Sequence, residues 1–317
     1  TTYDAMNRPT SVPQAYGVLG YSYDLSGRRT QLTGAAGAID YAYDALNRLT
    51  GLTDPSARHY GLAYDLAGRL TKQTNPNATY SLLGYDAANQ LSDKAHYAGS
   101  GMALGDNTYL YDAAGNVMGW GTSDGNIRAF AYDANNRLTA VQSTLPAVEN
   151  ESFAYDEAGN WAPFDARVHN EANEISEDSG YRYTYDLDGN LMRKESKLDP
   201  TDVTTYAWDP LNRLIQVNGG EHVVSYRYDG LGRRIAKTVD GVETRYVLDG
   251  ANVVEERDAS GTLTAFNLYA GLDRLLMRRD YGTGATYWTQ TDHLGSVESL
   301  TDAAGTVVEC YRYGSFG

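Results

Sequence analysis

Aromatic and apolar residues alternate with polar residues in short runs along the chain, and each run ends at a turn sequence. The stretch at 41–49 reads YAYDALNRL, and the stretch at 21–29 reads YSYDLSGRR. Alternation with a period of two is typical of β-strands that have one buried face. No window keeps a helical period over about a dozen residues. The pattern therefore predicts an all-β fold built from strands of about six or seven residues.

The turn sequence recurs at a nearly constant interval. Its core is an aspartate followed three residues later by Gly or Asn, and the first intervals between these aspartates are 20, 20, 21 and 21 residues. A pattern with such a period defines the architecture of a chain. The predicted repeat turns begin at Asp4, Asp24, Asp44, Asp65, Asp86, Asp112, Asp133, Asp156, Asp186, Asp209, Asp229 and Asp249. Further copies begin at Asp258, Asp292 and Asp302, and residues 169–173 form a degenerate copy.

Elementary turn chemistry explains this sequence. An aspartate that begins a turn accepts hydrogen bonds from the backbone N–H groups ahead of it, and Gly or Asn adopts the left-handed conformation that closes a type I turn with a bulge. That geometry places Asp44 opposite Arg48 and Tyr43 opposite Leu49. Tyr and Leu should then share one face of the sheet, and Asp and Arg the other. The residues that precede the aspartates predict an aromatic ladder of Tyr3, Tyr23, Tyr43, Tyr64, Tyr85, Tyr111, Tyr132, Tyr155, Tyr185, Trp208 and Tyr228.

A second turn closes the other end of each repeat. Asn218-Gly219-Gly220 and Asp240-Gly241 lie between β-branched runs, which is a strong hairpin signal. The chain is thus predicted to be a long antiparallel meander of roughly 28–30 strands, and an open sheet rarely passes about ten strands without curling or splitting. We therefore predict that the meander winds into a spiral ribbon with its Tyr/Leu face turned inward. Two segments could compete as short helices: GMALGDN, inside a predicted loop insertion, and LDRLLMRRD, interpreted as a strand edge.

Composition and charge narrow the function classes. The chain has 27 Tyr against 5 Phe, which suits pleated surfaces. Its net charge of −15 argues against nucleic-acid binding, which needs a basic surface, and disfavours anionic membrane surfaces. No stretch is typical of a membrane span or a signal peptide. The single cysteine, Cys310, excludes an intrachain disulfide. Because residue 1 falls inside a repeat, we expect the chain to be an excised piece of a longer protein.

The repeated YDxxGR and YDxxNRL elements, together with the ending YWTQTDHLGSVESLTDAAGTVVECYRYGSFG, resemble the bacterial RHS/YD-repeat family. Relatives of that family include the C component of insecticidal toxin complexes and the animal teneurins. The resemblance covers essentially all of the chain, and the segment at 292–296 is its most specific part. It implies a β-ribbon that spirals into a hollow shell, which in bacterial polymorphic toxins encloses a C-terminal toxic segment until delivery.

The same resemblance implies one YD-repeat ribbon over residues 1–317, with 285–317 as the most RHS-core-like segment. It also implies a secreted or cell-surface location. Many members end the shell with a closing region that cleaves itself at an aspartate-containing site. That region is expected to follow YRYGSFG, so no residue of this sequence is assigned to self-cleavage.

Several local features invite a chemical role. Residues 186–190 read DLDGN, with carboxylates at alternate positions as in a calcium loop, but they also fit the repeat turn and lack a bidentate Glu at the expected distance. The five histidines have no metal-ligand spacing: His59, His96, His169, His222 and His293. His293 is interpreted as a turn-stabilising residue, and Cys310 as a plain strand residue. We therefore predict no catalytic residue, no metal and no cofactor.

Three function classes remain open from the residues. The first is a container whose partner is the C-terminal toxin segment of the parent chain. The second is a cell-surface adhesion module whose exposed aromatic residues bind a glycan or a protein. The third, an enzyme, is disfavoured because repetition spreads residues evenly whereas catalysis needs one cluster; residues 145–180, which interrupt the repeat, are interpreted as a long hairpin or loop. Self-association through unpaired end strands is a further expectation.

Overall fold

A computed structural model describes residues 1–144, 150–161 and 167–315. These residues form thirty β-strands and no helix. The first fifteen are β1 Thr2–Tyr3, β2 Pro9–Gln14, β3 Gly17–Tyr23, β4 Arg29–Gly34, β5 Gly37–Tyr43, β6 Leu49–Thr53, β7 His59–Tyr64, β8 Leu70–Thr74, β9 Tyr80–Tyr85, β10 Leu91–Tyr97, β11 Ala103–Tyr111, β12 Val117–Thr122, β13 Ile127–Tyr132, β14 Leu138–Ser143 and β15 Glu151–Ser152.

The second fifteen are β16 Val168–His169, β17 Ile175–Glu177, β18 Tyr181–Tyr185, β19 Leu191–Ser196, β20 Val203–Trp208, β21 Leu214–Gly219, β22 His222–Tyr228, β23 Arg234–Val239, β24 Val242–Asp249, β25 Asn252–Arg257, β26 Leu263–Tyr269, β27 Leu275–Asp280, β28 Thr286–Thr291, β29 Val297–Thr301 and β30 Val307–Cys310. Within each set, every strand is hydrogen-bonded to the strands that precede and follow it in the chain. The predicted all-β antiparallel meander and its strand number are confirmed. The described residues place its strands in two fifteen-stranded sheets, β1–β15 and β16–β30.

The register within each hairpin is the predicted one. Tyr43 pairs with Leu49, and the ladder shifts by one residue between Ala42 and Tyr43, as a bulged turn requires. At the other end, Val239 pairs with Val242 across the two-residue loop Asp240-Gly241, whose φ angles are 49° and 84°. That pair of positive φ angles is the hairpin geometry that Asp-Gly favours.

Three local predictions need correction. Asn218 and Gly219 belong to β21, and the loop that follows is Gly220-Glu221. Residues 103–107, placed in a loop insertion, begin the nine-residue strand β11, so the longer repeat lengthens a strand. The LDRLLMRRD segment does form a strand, β27. It pairs with a strand on each side and its Leu276 and Met277 are buried, so it is not an edge strand. The described part of the irregular stretch 145–180 contains the short strands β15, β16 and β17, and residues 145–149 and 162–166 lie outside the described residues.

Contacts divide the chain into two compact units. Unit 1 comprises residues 1–152, 247–256 and 263–317, and unit 2 comprises residues 153–246 and 257–262. In unit 1, apolar residues of β3–β7 pack against apolar residues of β24–β28 to form the hydrophobic core. The buried members are Leu19, Leu32, Ile39, Leu52, Tyr60 and Leu62 on one side and Val247, Val254, Phe266, Leu268, Leu276, Met277 and Trp288 on the other.

Unit 2 has a much thinner core. Among its described residues, the buried apolar side chains are Phe153 and Ala236. Most of its strand residues are half-buried, including the aromatic ladder positions Tyr185, Trp208 and Tyr228. The strands of unit 2 are therefore stabilised mainly by their backbone ladders and by the side-chain bonds of the repeat turn described next.

Candidate functional site: the repeat turn

The repeat turn is a closed hydrogen-bonded unit, shown here for the copy at Asp44. One carboxylate oxygen of Asp44 accepts the backbone N–H groups of Leu46 and Arg48, both at 2.9 Å. The backbone N–H of Asp44 donates to the carbonyl of Arg48 at 3.0 Å, and Asn47 takes a positive φ of 63°. The bond from the Arg48 N–H lowers the pKa of Asp44, so the carboxylate stays charged.

The arginine of each turn reaches the next repeat. Arg48 donates from Nε to the second carboxylate oxygen of Asp44 at 2.7 Å and from Nη1 to the carbonyl of Asp65, the next turn aspartate, at 3.1 Å. Its guanidinium lies 4.8 Å from the ring centroid of Tyr64. The same stacking recurs for Arg8 on Tyr23, Arg28 on Tyr43, Arg69 on Tyr85 and Arg213 on Tyr228. One charged side chain thus joins two consecutive repeats.

The tyrosine hydroxyl forms a hydrogen bond back to the preceding repeat. Tyr64 donates from its hydroxyl to the carbonyl of Leu49, the residue after Arg48, at 2.8 Å. Burial raises the pKa of Tyr64, so the hydroxyl keeps its proton for this bond. Equivalent bonds are made by Tyr23, Tyr43, Tyr85, Tyr111, Tyr132, Tyr185, Tyr228 and, through its indole Nε1, Trp208. We call this set of contacts the repeat lock: the Asp–Arg pair, the Arg stacked on the next Tyr, and the Tyr hydroxyl bond back.

The structure places eleven of the twelve predicted turn aspartates in this geometry. For Asp4, Asp24, Asp44, Asp65, Asp86, Asp112, Asp133, Asp156, Asp186, Asp209 and Asp229, the backbone N–H donates to the carbonyl four residues later. Asp258, Asp292 and Asp302 do the same, and Asn170 forms the turn of the degenerate copy. The remaining ladder residues, Tyr3 and Tyr155, pair with Pro9 and Trp161.

Asp249 is the exception. It is the last residue of β24, and its carboxylate accepts Arg29 Nη1 at 2.5 Å and the Tyr21 hydroxyl at 3.3 Å. Arg29 also donates to the hydroxyl of Tyr41 at 3.0 Å. Burial raises the pKa of Tyr41 to about 12, although the charge of Arg29 opposes that rise. The prediction of a repeat turn at Asp249 was therefore wrong: its carboxylate joins β24 to β3 and β4 within unit 1.

The predicted separation of faces is only half correct. Tyr43 and Ile39 lie on the buried side of β5, where the ladder was expected. The turn arginines stay paired with their aspartates, but the guanidinium groups of Arg28 and Arg48 also lie over the tyrosine rings of the next repeat. The carboxylate–guanidinium pairs therefore lie at the edge of the ribbon, against tyrosine rings, and do not form a separate charged outer face.

Sequence analysis missed turns of the same geometry at the other end of the repeat. Asp54 accepts the N–H groups of Ser56 and Arg58 and the Nε of Arg58, while Ala57 has a φ of 60°. Asn75 begins a similar turn with Ala78 at 65°. The aspartate–arginine spacing of residues 54–58 is that of the repeat turn, but alanine stands at position 57, where the predicted turn has Gly or Asn.

The local metal hypotheses find no support in the described residues. The carboxylate of Asp186 accepts hydrogen bonds from the backbone N–H groups of Asp188 and Asn190 and from the side-chain amide of Asn190, as in the other repeat turns. No group of three His, Cys, Asp or Glu side chains in the described ranges is arranged to hold a metal ion. Cys310 is exposed.

Unit 1 contains a buried polar junction that the sequence did not reveal. Lys94 donates to the hydroxyl of Thr291 at 2.7 Å and to the carbonyl of Asp292 at 2.9 Å, and burial lowers its pKa to about 8. Asn107 donates to Glu298 at 2.7 Å, and Nε2 of His96 lies 3.7 Å from the same carboxylate. These contacts connect β10 and β11 of the first sheet to β28 and β29 of the second. Their partners lie almost two hundred residues apart, so no local pattern could predict them.

His293 belongs to this junction. Its ring lies 4.4 Å from that of Tyr109 and 5.8 Å from that of Trp120, and its backbone N–H donates to the Tyr109 hydroxyl at 3.2 Å. Burial lowers the pKa of the His293 imidazole. The expected turn-stabilising bond is replaced by aromatic packing.

A cavity of about 560 Å³ lies beside the junction in unit 1. The segment after β30 crosses it: Arg312 donates to Asp124 at 3.0 Å, Tyr313 donates to the carbonyl of Val297 at 2.9 Å, and Ser315 donates to Glu151 at 2.6 Å. Because these residues bond to Asp124, Val297 and Glu151, the segment after β30 closes part of the cavity.

The geometry of the repeat can be compared with that of known proteins. The model of the Teneurin YD-shell family matches residues 1–87 and 81–317, which together cover the chain. The chain belongs to the Teneurin YD-shell family. Solved structures of the same fold include TcdB2-TccC3 without its hypervariable C-terminal region, with a TM-score of 0.63 at 17% identity over 95% of this chain and 18% of that chain. Such low identity shows a common fold alone.

Curated relatives of this YD-shell chain are named as toxins or nucleases. They include double-stranded DNA deaminase toxin A of Burkholderia cenocepacia, 28% identical over 241 residues (66% of this chain, 17% of that protein). The tRNA3(Ser)-specific nuclease WapA of Bacillus spizizenii is 29% identical over 202 residues (61% and 8%). Probable deoxyribonuclease RhsA of Dickeya dadantii is 27% identical over 228 residues (67% and 16%). The chain spans less than a fifth of the length of these relatives. Among the described residues, no helix is long and apolar enough to cross a membrane.

Proposed function

We propose that this chain is a length of shell wall that encloses a C-terminal toxic segment of its parent protein. The observation that carries the proposal is the repeat lock. It is complete at Arg8, Arg28, Arg48, Arg69 and Arg213, and the bond back to the preceding repeat recurs at Tyr111, Tyr132, Tyr185 and Trp208. Similar contacts thus tie hairpin to hairpin along much of the described chain and build an extended surface. A wall needs this property, because its stability must be spread along its whole length.

The relatives support a carrier role. Their names give different activities, a DNA deaminase, a tRNA nuclease and a deoxyribonuclease, yet each matches between 61% and 67% of this chain. A segment common to proteins with different activities is better suited to a task that all of them need than to any one of the reactions. We therefore propose a structural role for this chain and a catalytic role for other parts of the parent protein.

Two features bear on where the shell acts and on what it encloses. A secreted or cell-surface destination fits the name of the Burkholderia cenocepacia relative, which is a toxin. The net charge of −15 adds a long-range attraction toward a basic cargo. The partner in this proposal is therefore the polypeptide that follows the shell in the parent chain.

Limited proteolysis of the parent protein tests the proposal. Deleting residues 1–144, or loosening the lock with the double substitution Arg48→Ala and Arg69→Ala, should make the C-terminal segment cleavable at protease concentrations that leave it intact in the unmodified protein. The substitution Leu198→Ala, at an exposed hairpin residue, is the matched control and should leave resistance unchanged. Equal resistance of the deletion variant would remove the container proposal. Tight binding of this chain alone to a glycan array would favour the adhesion alternative.

A further inference from the structure

The cavity beside the polar junction of unit 1 has the size and the mixed lining of a small-molecule site. Its volume of about 560 Å³ lies within the range of such sites, about 300–1,000 Å³. Its aromatic walls are Trp120, Tyr311 and Tyr313. The indole N–H of Trp120 donates to Asn107 at 2.7 Å, and the Tyr313 hydroxyl donates to the carbonyl of Val297 at 2.9 Å. Because the polar atoms of these two rings are already bonded, the rings offer flat apolar surface to a ligand.

Arg128 is a buried cation of this cavity without a close acceptor. The residue is 9% exposed, and its Nε donates to no described residue. Its Nη2 lies 3.4 Å from the carbonyl oxygen of Tyr313 and 3.9 Å from the carboxylate of Glu151, whereas charge-assisted bonds measure about 2.7–2.9 Å. The turn arginine Arg48, by comparison, reaches its aspartate at 2.7 Å. A buried guanidinium in this state is stabilised by a ligand that brings an anionic oxygen.

The rest of the lining disfavours a ligand that is only an anion. Glu298 accepts a hydrogen bond from Asn107 at one carboxylate oxygen, Oε2, and its Oε1 accepts none from the described residues. Like charges in a partly buried site repel each other, so a ligand with a carboxylate needs an ammonium group as well. The lining has four carboxylates against two guanidinium groups: Asp124, Glu151, Asp292 and Glu298, and Arg128 and Arg312.

A neutral sugar satisfies fewer of these groups. It could stack on the rings and bond to Glu298, but it would leave the buried charge of Arg128 without a close counter-charge. A zwitterion with an aromatic body supplies all three elements at once: a carboxylate for Arg128, an ammonium for Glu298 and a ring for Trp120.

We propose that this cavity binds an aromatic amino acid or a short peptide that carries one, with its carboxylate on Arg128 and its ammonium toward Glu298. The site is independent of the shell role proposed above. Because Tyr311, Arg312 and Tyr313 line the cavity, the bound ligand also holds the segment after β30 in place.

Isothermal titration calorimetry of the 317-residue chain tests this, with L-phenylalanine and the dipeptide Phe-Phe as probes. At least one probe should bind saturably at a single site, and the tighter of the two identifies a free amino acid or a peptide as the ligand. The analogue of that probe with an amide in place of the carboxylate, and the analogue without the ammonium, should each bind more weakly by about tenfold or more. These comparisons use the unmodified chain, so they do not depend on any variant folding.

Two variants locate the site. Arg128→Gln and Glu298→Gln should each weaken binding of the tighter probe by about tenfold or more, and circular dichroism checks that they fold. The control is Arg182→Gln, at an exposed arginine of unit 2, which should bind the probe as the unmodified chain does. In hydrogen exchange, the amides of residues 311–315 should exchange more slowly when the probe is bound.

Four results overturn the proposal. The first is the absence of saturable binding of both probes. The second is equal or tighter binding of either analogue, which would make the cavity a site for a simple cation or a simple anion. The third is undiminished binding by both folded variants. The fourth is loss of binding in the parent protein, which would show that another part of that protein fills the cavity.

Discussion

At the scale of single residues, the repeat is held by contacts that are each modest. A partly exposed ion pair contributes about 0–1 kcal/mol and a cation–π contact at an exposed site about 0.5–1 kcal/mol. The repeat lock combines both with the hydroxyl bond of the next tyrosine, and at Asp44 these contacts share Arg48 and Tyr64. This explains the preference for Tyr over Phe in the sequence, since a phenylalanine would keep the stacking surface and lose the bond to the preceding repeat.

Tyr64→Phe isolates that hydroxyl. The ring remains under Arg48, while the carbonyl of Leu49 loses its 2.8 Å donor. We expect a loss of about 1 kcal/mol in the free energy of unfolding, measured as the shift of the urea midpoint. Tyr3→Phe, at the more than half-exposed first rung, is the control and should leave the midpoint unchanged. Equal midpoints for the Tyr64→Phe and unmodified chains would show that the ring alone stabilises the repeat.

The turn carboxylates predict how stability depends on pH. The pKa of Asp44 is held below its usual value of 3.8 by the backbone N–H of Arg48. A group whose pKa is depressed by folding stabilises the folded state above its unfolded pKa, and that contribution is lost as the pH falls through the lower folded value. The melting temperature should therefore drop steeply below about pH 4, because many turns share the same shift. Asp44→Asn should lower the melting temperature at pH 7 and flatten this decline; a parallel decline would contradict the assignment.

At the scale of elements, the hairpin was predictable because its rules are local. The Tyr43–Leu49 register, the bulge and the Asp240-Gly241 loop all follow from residues within a few positions of each turn. The turn at Asp54 was missed because its left-handed position is alanine, a residue that local propensity places elsewhere. The surrounding bonds, from Arg58 above all, impose a backbone conformation that the residue itself disfavours.

Ala57 should therefore be a site of stored strain. Its φ of 60° costs an alanine about 1–2 kcal/mol, whereas glycine adopts it freely. Ala57→Gly should stabilise the chain by up to about 1 kcal/mol, after the extra entropy of glycine in the unfolded chain is subtracted. Ala45→Gly, in a turn position without a positive φ, should destabilise it instead. Thermal unfolding of the two variants tests this. If position 57 is strained, the melting temperature should rise for Ala57→Gly and fall for Ala45→Gly.

At the scale of the whole molecule, the sequence predicted the meander and not its tertiary contacts. Period and turn chemistry determine how each strand meets the next, but they carry no information about which distant repeats face each other. The Arg29–Asp249 pair and the contacts of Lys94 and Asn107 with β28–β29 each join residues about two hundred positions apart. Asp249 illustrates the limit: its sequence context is that of a repeat turn, and only the packing of β24 against β3 and β4 assigns it a different role.

His293 should make the sheet junction of unit 1 sensitive to mild acid. Its imidazole is buried against Tyr109 and Trp120, and burial lowers its pKa below the usual 6.5; Lys94 acts in the same direction, while Asp292 and Glu298 oppose it. A histidine with a depressed folded pKa favours the neutral form in the folded state, so its contribution is complete above about pH 6.5 and is lost as the pH falls toward the folded value. The urea midpoint should thus be higher at pH 7.5 than at pH 5.5. His293→Phe, which keeps the aromatic packing and cannot take up a proton, should reduce that difference. His59→Gln, at an exposed strand residue, should leave it in place. If the His293→Phe chain keeps the full difference, the acid sensitivity of the junction arises from other groups.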